Sequence, residues 1–216
     1  MGARDIVRSW PRAVGYLHGP RLGSWMRKQW VLARHPHATV RFGPGVYLGP
    51  GFSLHIPDNG TFIVGAGTEF RRGFRAEVSG EGQVRIGTDC HFTYSVLIQC
   101  STTIEIGDRC MFGQSTIVLD GQHRFRDLTR PMLEQGYDFH DIHIEDDATV
   151  TTKCSIMADI GTRAFIGANS VVTKPIPPYT VAVGAPARPI DYFGPPGLEP
   201  EALKSSDSSA PESASD

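Results

Sequence analysis

The feature that most constrains this chain is an apolar residue recurring every six positions through most of its length. Phe42, Leu48 and Leu54 are six apart, as are Val64, Phe70 and Ala76, then Ile86, Phe92 and Ile98, then Ile106, Phe112 and Val118. After a gap the series resumes with Ile144, Val150 and Ile156, then Ile160, Ile166 and Val172. Eight of these eighteen anchors are followed by glycine: Gly43, Gly49, Gly65, Gly87, Gly107, Gly113, Gly161 and Gly167. A fixed short period of this kind marks a solenoid, here a triangular coil in which each hexapeptide forms a short strand and a turn. The pleat of a strand sends residues two apart to the same side, so the position two before each anchor also faces inward. That position is compact: Val40, Val46, Thr68, Val84, Cys90, Val96, Cys110, Thr116, Ala148, Cys154, Ala164 and Ser170. Three of the four cysteines fall there, which makes them small core-lining residues rather than catalytic thiols. With Cys100 they form no C-x-x-C pair, and reduced thiols are expected.

The triplets start 22, 22, 20, 38 and 16 residues apart, against 18 for a plain coil of three hexapeptides. The interval of 38 places an excursion at 119–143; a long departure from a tight solenoid is usually functional or disordered, and the content of this one argues for function. Pro175, Pro177 and Pro178 are expected to stop the coil. The chain thus divides into a basic, helical capping segment (1–39), a single solenoid domain (40–193) and an acidic, Ser/Pro-rich tail (194–216) expected to be disordered.

A formal net charge of −2 hides an uneven distribution: residues 1–41 hold eight Lys/Arg against Asp5 alone, and residues 197–216 carry a net −4. No nucleic-acid motif accompanies the basic end. No apolar run reaches the ~20 residues that span a bilayer, and no secretory signal opens the chain, so a cytoplasmic location is expected. Trp10, Trp25 and Trp30 are interleaved with the N-terminal cations. Two readings follow: a cap that buries tryptophan against the first coil, or peripheral contact with the inner membrane face.

Two stretches, IGDRCMFGQSTIVLDGQH (106–123) and FIGANSVVTKPIPPYTVAVGAPAR (165–188), resemble the hexapeptide-repeat acyltransferases, and most closely the sugar and polysaccharide O-acetyltransferases. The resemblance covers roughly residues 40–191. It implies an all-β fold, a left-handed parallel β-helix of about six coils, assembled as a homotrimer with active sites between neighbouring prisms. It also implies acetyl-CoA as co-substrate, no metal, and a hydroxyl on a sugar, polysaccharide precursor or glycolipid as acceptor.

By position His123 matches the family's catalytic histidine. Moving an acyl group from a thioester to an alcohol requires removal of the hydroxyl proton, and imidazole suits that task near neutrality. Asp120 fits the family's D-x-x-H arrangement, in which a carboxylate orients the base; a backbone carbonyl or a simple turn aspartate are the alternatives. Ala168, Thr173, Lys174 and Arg188 lie along the implied coenzyme A path, the two cations contacting phosphates or serving as plain surface charges. The family's W-I-G-A-N reads Thr149-Val150-Thr151-Thr152-Lys153 here. Thr93 and Ser101 stand where galactoside-type relatives carry acceptor-binding Asn and Asp. Two rival readings remain: a non-catalytic scaffold, and a γ-carbonic-anhydrase-like metalloenzyme drawing on His91, His123, His140 and His143.

Overall fold

The computed structural model describes residues 21–204. A helix, α1, spans 21–34. Coil 1 follows as β1 (Thr39–Phe42), β2 (Tyr47–Leu48) and β3 (Ser53–His55), and coil 2 as β4 (Thr61–Val64), β5 (Glu69–Phe70) and β6 (Arg75–Val78). Coil 3 comprises β7 (Gln83–Ile86), β8 (His91–Phe92) and β9 (Leu97–Cys100); coil 4 comprises β10 (Thr103–Ile106), β11 (Met111–Phe112) and β12 (Ile117–Leu119). An excursion then forms β13 (Gly121–His123) and β14 (Tyr137–Phe139). Coil 5 resumes with β15 (Ile142–Ile144), β16 (Thr149–Val150) and β17 (Ser155–Ile156), and coil 6 holds β18 (Phe165–Ile166) and β19 (Val171–Val172). The chain ends on β20 (Thr180–Gly184), β21 (Ala187–Tyr192) and a short α2 (Glu201–Lys204).

Successive coils pair in parallel, so the first, second and third strands of each coil build three faces: sheet A led by β1, sheet B by β2, sheet C by β3. This is the left-handed parallel β-helix, an exception to the right-handed crossover rule. Seventeen of the eighteen anchors are buried. Phe42, at the open end, is half-buried against Phe52 and Phe62. Among the compact positions only Val40 is not buried, and all four cysteines are buried and unpaired.

Corners are where the backbone turns, and they take left-handed residues. Gly67, Asp89, Arg109, Asp147, Arg163 and Tyr179 stack at the A-to-B corner, each with φ between 53° and 71°. Each donates its N–H to the preceding coil, as Asp89 does to Ala66 at 2.8 Å and Arg163 to Asp146 at 2.9 Å. Coils approach so closely that a Cβ on Gly113 would sit 2.4 Å from the Thr151 carbonyl carbon, closer than any real contact. Thr151, in place of the family's glycine, turns its hydroxyl onto the Ile166 carbonyl at 2.7 Å.

One expectation changes. The prolines do not stop the coil: Ile176 bridges to Ile160, and β20 pairs with β18, giving a partial seventh coil before β21 folds back antiparallel. Pro175, Pro177 and Pro178 flank that bridge instead of occupying a central strand, where a missing N–H would matter. Residues 194–204 form turns and α2, with the Tyr192 hydroxyl donating to the Pro195 carbonyl at 2.9 Å. Residues 205–216 lie outside the described residues, as do residues 1–20 with Trp10.

An aromatic column runs up sheet B: Phe70 stacks on Phe92 at 4.9 Å and Phe92 on Phe112 at 4.8 Å, with interplanar angles of 15° and 3°. Phe92 is fully buried in the middle of it. Phe92→Ala is expected to destabilise the fold by about 3–5 kcal/mol, read as a lowered urea midpoint, because flanking coils fixed by backbone ladders cannot close the void.

Candidate active site

Between Leu119, the end of β12, and Ile142, the start of β15, the excursion leaves the corner between sheets C and A and returns to it as an antiparallel hairpin. β13 pairs with β14 in the register Gly121↔Phe139, Gln122↔Asp138 and His123↔Tyr137. A Cβ at Gly121 would lie 2.5 Å from the Phe139 ring, so the glycine lets that ring lie over the strand. The His123 ring packs on Tyr137 at 4.2 Å, and Tyr137 stacks on Phe139 at 5.4 Å. Arg124 closes the strand pair by donating to Asp138 at 2.7 Å and, through its N–H, to the Gly136 carbonyl at 3.0 Å. The hairpin is tied down to coil 5: Gln122 donates to Met157 Sδ at 3.4 Å, and the His140 ring bonds the Met157 carbonyl at 2.7 Å. An exposed imidazole is thereby held on a strand fixed at both ends. Only Tyr137-Asp138-Phe139 alternates aromatic with polar residues, and Gly121-Gln122-His123 carries no strand signal, so the sequence did not reveal this hairpin.

Asp120 is buried, 2% exposed, where β12 leaves the coil. Its carboxylate accepts hydrogen bonds from the N–H groups of Ser101 (2.6 Å) and Thr102 (2.7 Å) and from the Thr102 hydroxyl (3.0 Å). It therefore points into the preceding coil, and among the described residues no hydrogen bond joins it to His123. Its own carbonyl accepts the His140 N–H at 3.0 Å, so the hairpin both departs from and returns to this residue. Burial, followed by the Asp120 charge, pushes the neighbouring Cys100 thiol up to about 12. That thiol stays protonated at neutral pH.

The other expected residues fall on two corners. Thr173 and Lys174 are exposed just after β19, at the C-to-A corner that also holds Met157 and the root of the hairpin. Ala168 is exposed at the B-to-C corner, where Gly184 donates to the Ser170 hydroxyl at 3.1 Å, and Arg188 is exposed on β21 beyond it. Neither Lys174 nor Arg188 has an acidic partner among the described residues. Between the corners runs the outer face of sheet C, with Leu97, Ile117, Ser155 and Val171 half-buried in one row. Two clefts flank the hairpin. One, of about 670 Å³, is bordered by His123, Arg124, Arg126, Arg130 and His140. The other, of about 340 Å³, is bordered by Glu77, Gln99, Ser101, Asp120, Tyr137 and Phe139. The Thr93 hydroxyl is committed to the Phe112 carbonyl at 2.9 Å, one coil on.

His140 borders the same cleft as His123, but His91 and His143 do not converge on it. His91 sits on sheet B beside Glu69, and His143 on sheet A beside Glu105 and Asp159. Among the described residues no group of three or more His, Cys, Asp or Glu could hold a metal ion.

Coil, corners and hairpin together define a hexapeptide-repeat β-helix with a histidine-bearing loop. No protein-family model matches the chain. It is similar to a probable acetyltransferase of Mycobacterium tuberculosis, 30% identical over 173 residues, covering 76% of this chain and 56% of that protein. It is also similar to the galactoside O-acetyltransferase of Lactococcus lactis, 27% identical over 116 residues, covering 52% and 54% of the two chains. The chain spans about half the length of the curated relatives it matches. Among solved structures it overlays on AntD, an N-acyltransferase from Bacillus cereus crystallised with dTDP and coenzyme A, with TM-score 0.60, 16% identity and coverage of 75% and 88%. A galactoside acetyltransferase in complex with coenzyme A overlays with TM-score 0.50, 18% identity and coverage of 74% and 68%. The chain is thus a relative of the hexapeptide-repeat acyltransferases and shares their fold.

Asp120→Ala is expected to cost about 2–3 kcal/mol of stability, because it leaves two buried N–H groups and a hydroxyl without an acceptor. Asp120→Asn, whose amide oxygen can still accept, is expected to cost about 1 kcal/mol. Urea denaturation of both variants checks the order.

Proposed function

We propose that the chain is an acyl-CoA-dependent O-acyltransferase that moves an acetyl group onto a hydroxyl of a sugar, polysaccharide precursor or glycolipid. The observation that carries this reading is the placement of His123: a solvent-facing imidazole fixed on a hairpin at the C-to-A corner, where Thr173 and Lys174 also lie. In direct transfer His123 takes the acceptor's proton as its oxygen attacks the thioester carbonyl. The C–O bond forms, the C–S bond breaks, and the imidazolium returns the proton to the departing thiolate. The half-buried row on sheet C suits a pantetheine arm, with Lys174 and Arg188, beyond coil 6, as cations for the phosphates at the end away from the thioester. Asp120 acts as a positioning residue, setting where the hairpin leaves the coil.

The relatives named acetyltransferase and the coenzyme A complexes of the structural neighbours support this reading. Unpaired cysteines suit a reducing, cytoplasmic compartment. A homotrimer would place the His123 hairpin of one prism against a neighbour's sheet.

His123→Ala is expected to lower turnover by ~10²–10⁴-fold with the melting curve unchanged. Activity is measured as acetyl-CoA consumption against a panel of sugars, amino sugars and glycolipids. Near wild-type turnover in the variant removes the mechanism. Lys174→Ala and Arg188→Ala are each expected to raise the KM for acetyl-CoA by roughly tenfold while kcat changes little, because phosphates bind far from the reacting carbon. An unchanged KM in both misplaces the donor. Calorimetric titration separates the scaffold reading, which predicts no heat with coenzyme A at millimolar concentration.

A further inference from the structure

α1 is inverted relative to an ordinary surface helix. Its inner side is held to coil 1 largely by polar contacts: the Leu48 N–H donates to the Ser24 hydroxyl at 2.8 Å, and Arg27 donates to the Leu48 carbonyl at 2.7 Å. Val31 is buried on the same side, and the His35 ring bonds the Val31 carbonyl at 2.8 Å. The outer side carries Leu22, Trp25, Met26 and Trp30, which are 61%, 58%, 59% and 64% exposed. The capping expectation, with tryptophan buried against the first coil, therefore fails for Trp25 and Trp30. On a helix of 3.6 residues per turn these four form one stripe with Gln29 and Ala33. Arg27 and Arg34 border one edge and Arg21 and Lys28 the other, and residues 21–34 contain no acid.

We propose that this stripe docks the enzyme on an anionic lipid surface, with α1 lying in the headgroup plane. An apolar face on a fixed helix needs a cover, and charge decides which cover fits. A second copy would set four cations against four with no acid between them. Residues 1–20 carry Arg4, Arg8 and Arg12 against Asp5, so they have the same sign. Residues 205–216 carry Asp207, Glu212 and Asp216 but no large apolar side chain. An anionic bilayer supplies both halves. Tryptophan favours the headgroup boundary, the cations favour anionic lipid, and the apolar stripe enters the acyl region. Docking does not depend on acyl transfer, so the two readings fail separately.

The test is flotation of the full-length protein with vesicles of phosphatidylcholine, with and without phosphatidylglycerol. The protein is expected to float with anionic vesicles at low salt, to bind neutral vesicles at least about tenfold less, and to release as salt rises. Trp25→Ser combined with Trp30→Ser is expected to lower the bound-to-free ratio by roughly tenfold or more, with melting curve and acetyl-CoA consumption unchanged. Arg21→Gln combined with Arg34→Gln, both at exposed positions, serves as the second variant if the first fails to fold, and is expected to weaken binding to anionic vesicles alone. No flotation at low salt, equal binding to both vesicle types, or undiminished binding by the folded variants overturns the proposal. A changed oligomeric state of the tryptophan variant in lipid-free sedimentation also overturns it, since the stripe would then be a contact between copies.

Discussion

Every other feature hangs on the parallel backbone ladder between coils. Gly43 donates to Val64, Gly65 to Ile86, Gly87 to Ile106 and Gly107 to Ile144, at 2.7–2.8 Å each, one unbroken line across five coils. In such a stack a strand has neighbours above and below and cannot slip by one residue without turning its apolar side chains outward. Insertions are therefore confined to corners, and they must leave and re-enter at the same level. The excursion obeys this rule: Ile106 is still paired with Ile144 although nearly forty residues separate them. A functional loop can grow there without disturbing the core.

Asp120 joins the ladder to the loop. A carboxylate at the end of a short strand would normally be solvated, but this one is buried and receives donors from the turn between β9 and β10, one coil before. Hydrogen bonds to a charged acceptor are among the stronger ones in proteins, and three of them converge on a single oxygen. The same residue's carbonyl receives the returning chain at His140. The position of His123 thus derives from the coil through one side chain and two strands.

The anchors and compact positions were legible in the sequence because they follow from backbone period, which is local. The role of Asp120 was not, since its partners Ser101 and Thr102 lie one coil upstream, whereas His123 is three residues away and draws attention first. The prolines misled for a related reason: they read as a stop, yet Ile176 is four residues past Val172, the spacing that separates Ile160 from Ile156. A shortened corner carried the ladder on, and the bridge Ile144–Ile160–Ile176 preserved the register. The direction of α1's tryptophans was illegible because both readings shared one amphipathic pattern. Only docking through Ser24 and Val31 decides which side faces out.

Order along the solenoid then assigns sides to the reaction. α1 lies on coil 1, the hairpin rises from coil 4, and Lys174 and Arg188 follow coil 6. At about 4.8 Å per coil the hairpin stands roughly 14 Å from the helix end of the stack. Of the two clefts beside the hairpin, the one holding Glu77 and Gln99 is built from coils 2 and 3, on the side of α1. With α1 on a lipid surface, that cleft would lie on the membrane side of the hairpin and Lys174 and Arg188 on the far side, so that under the proposed function a membrane-borne acceptor and a soluble thioester would approach from opposite ends of the stack.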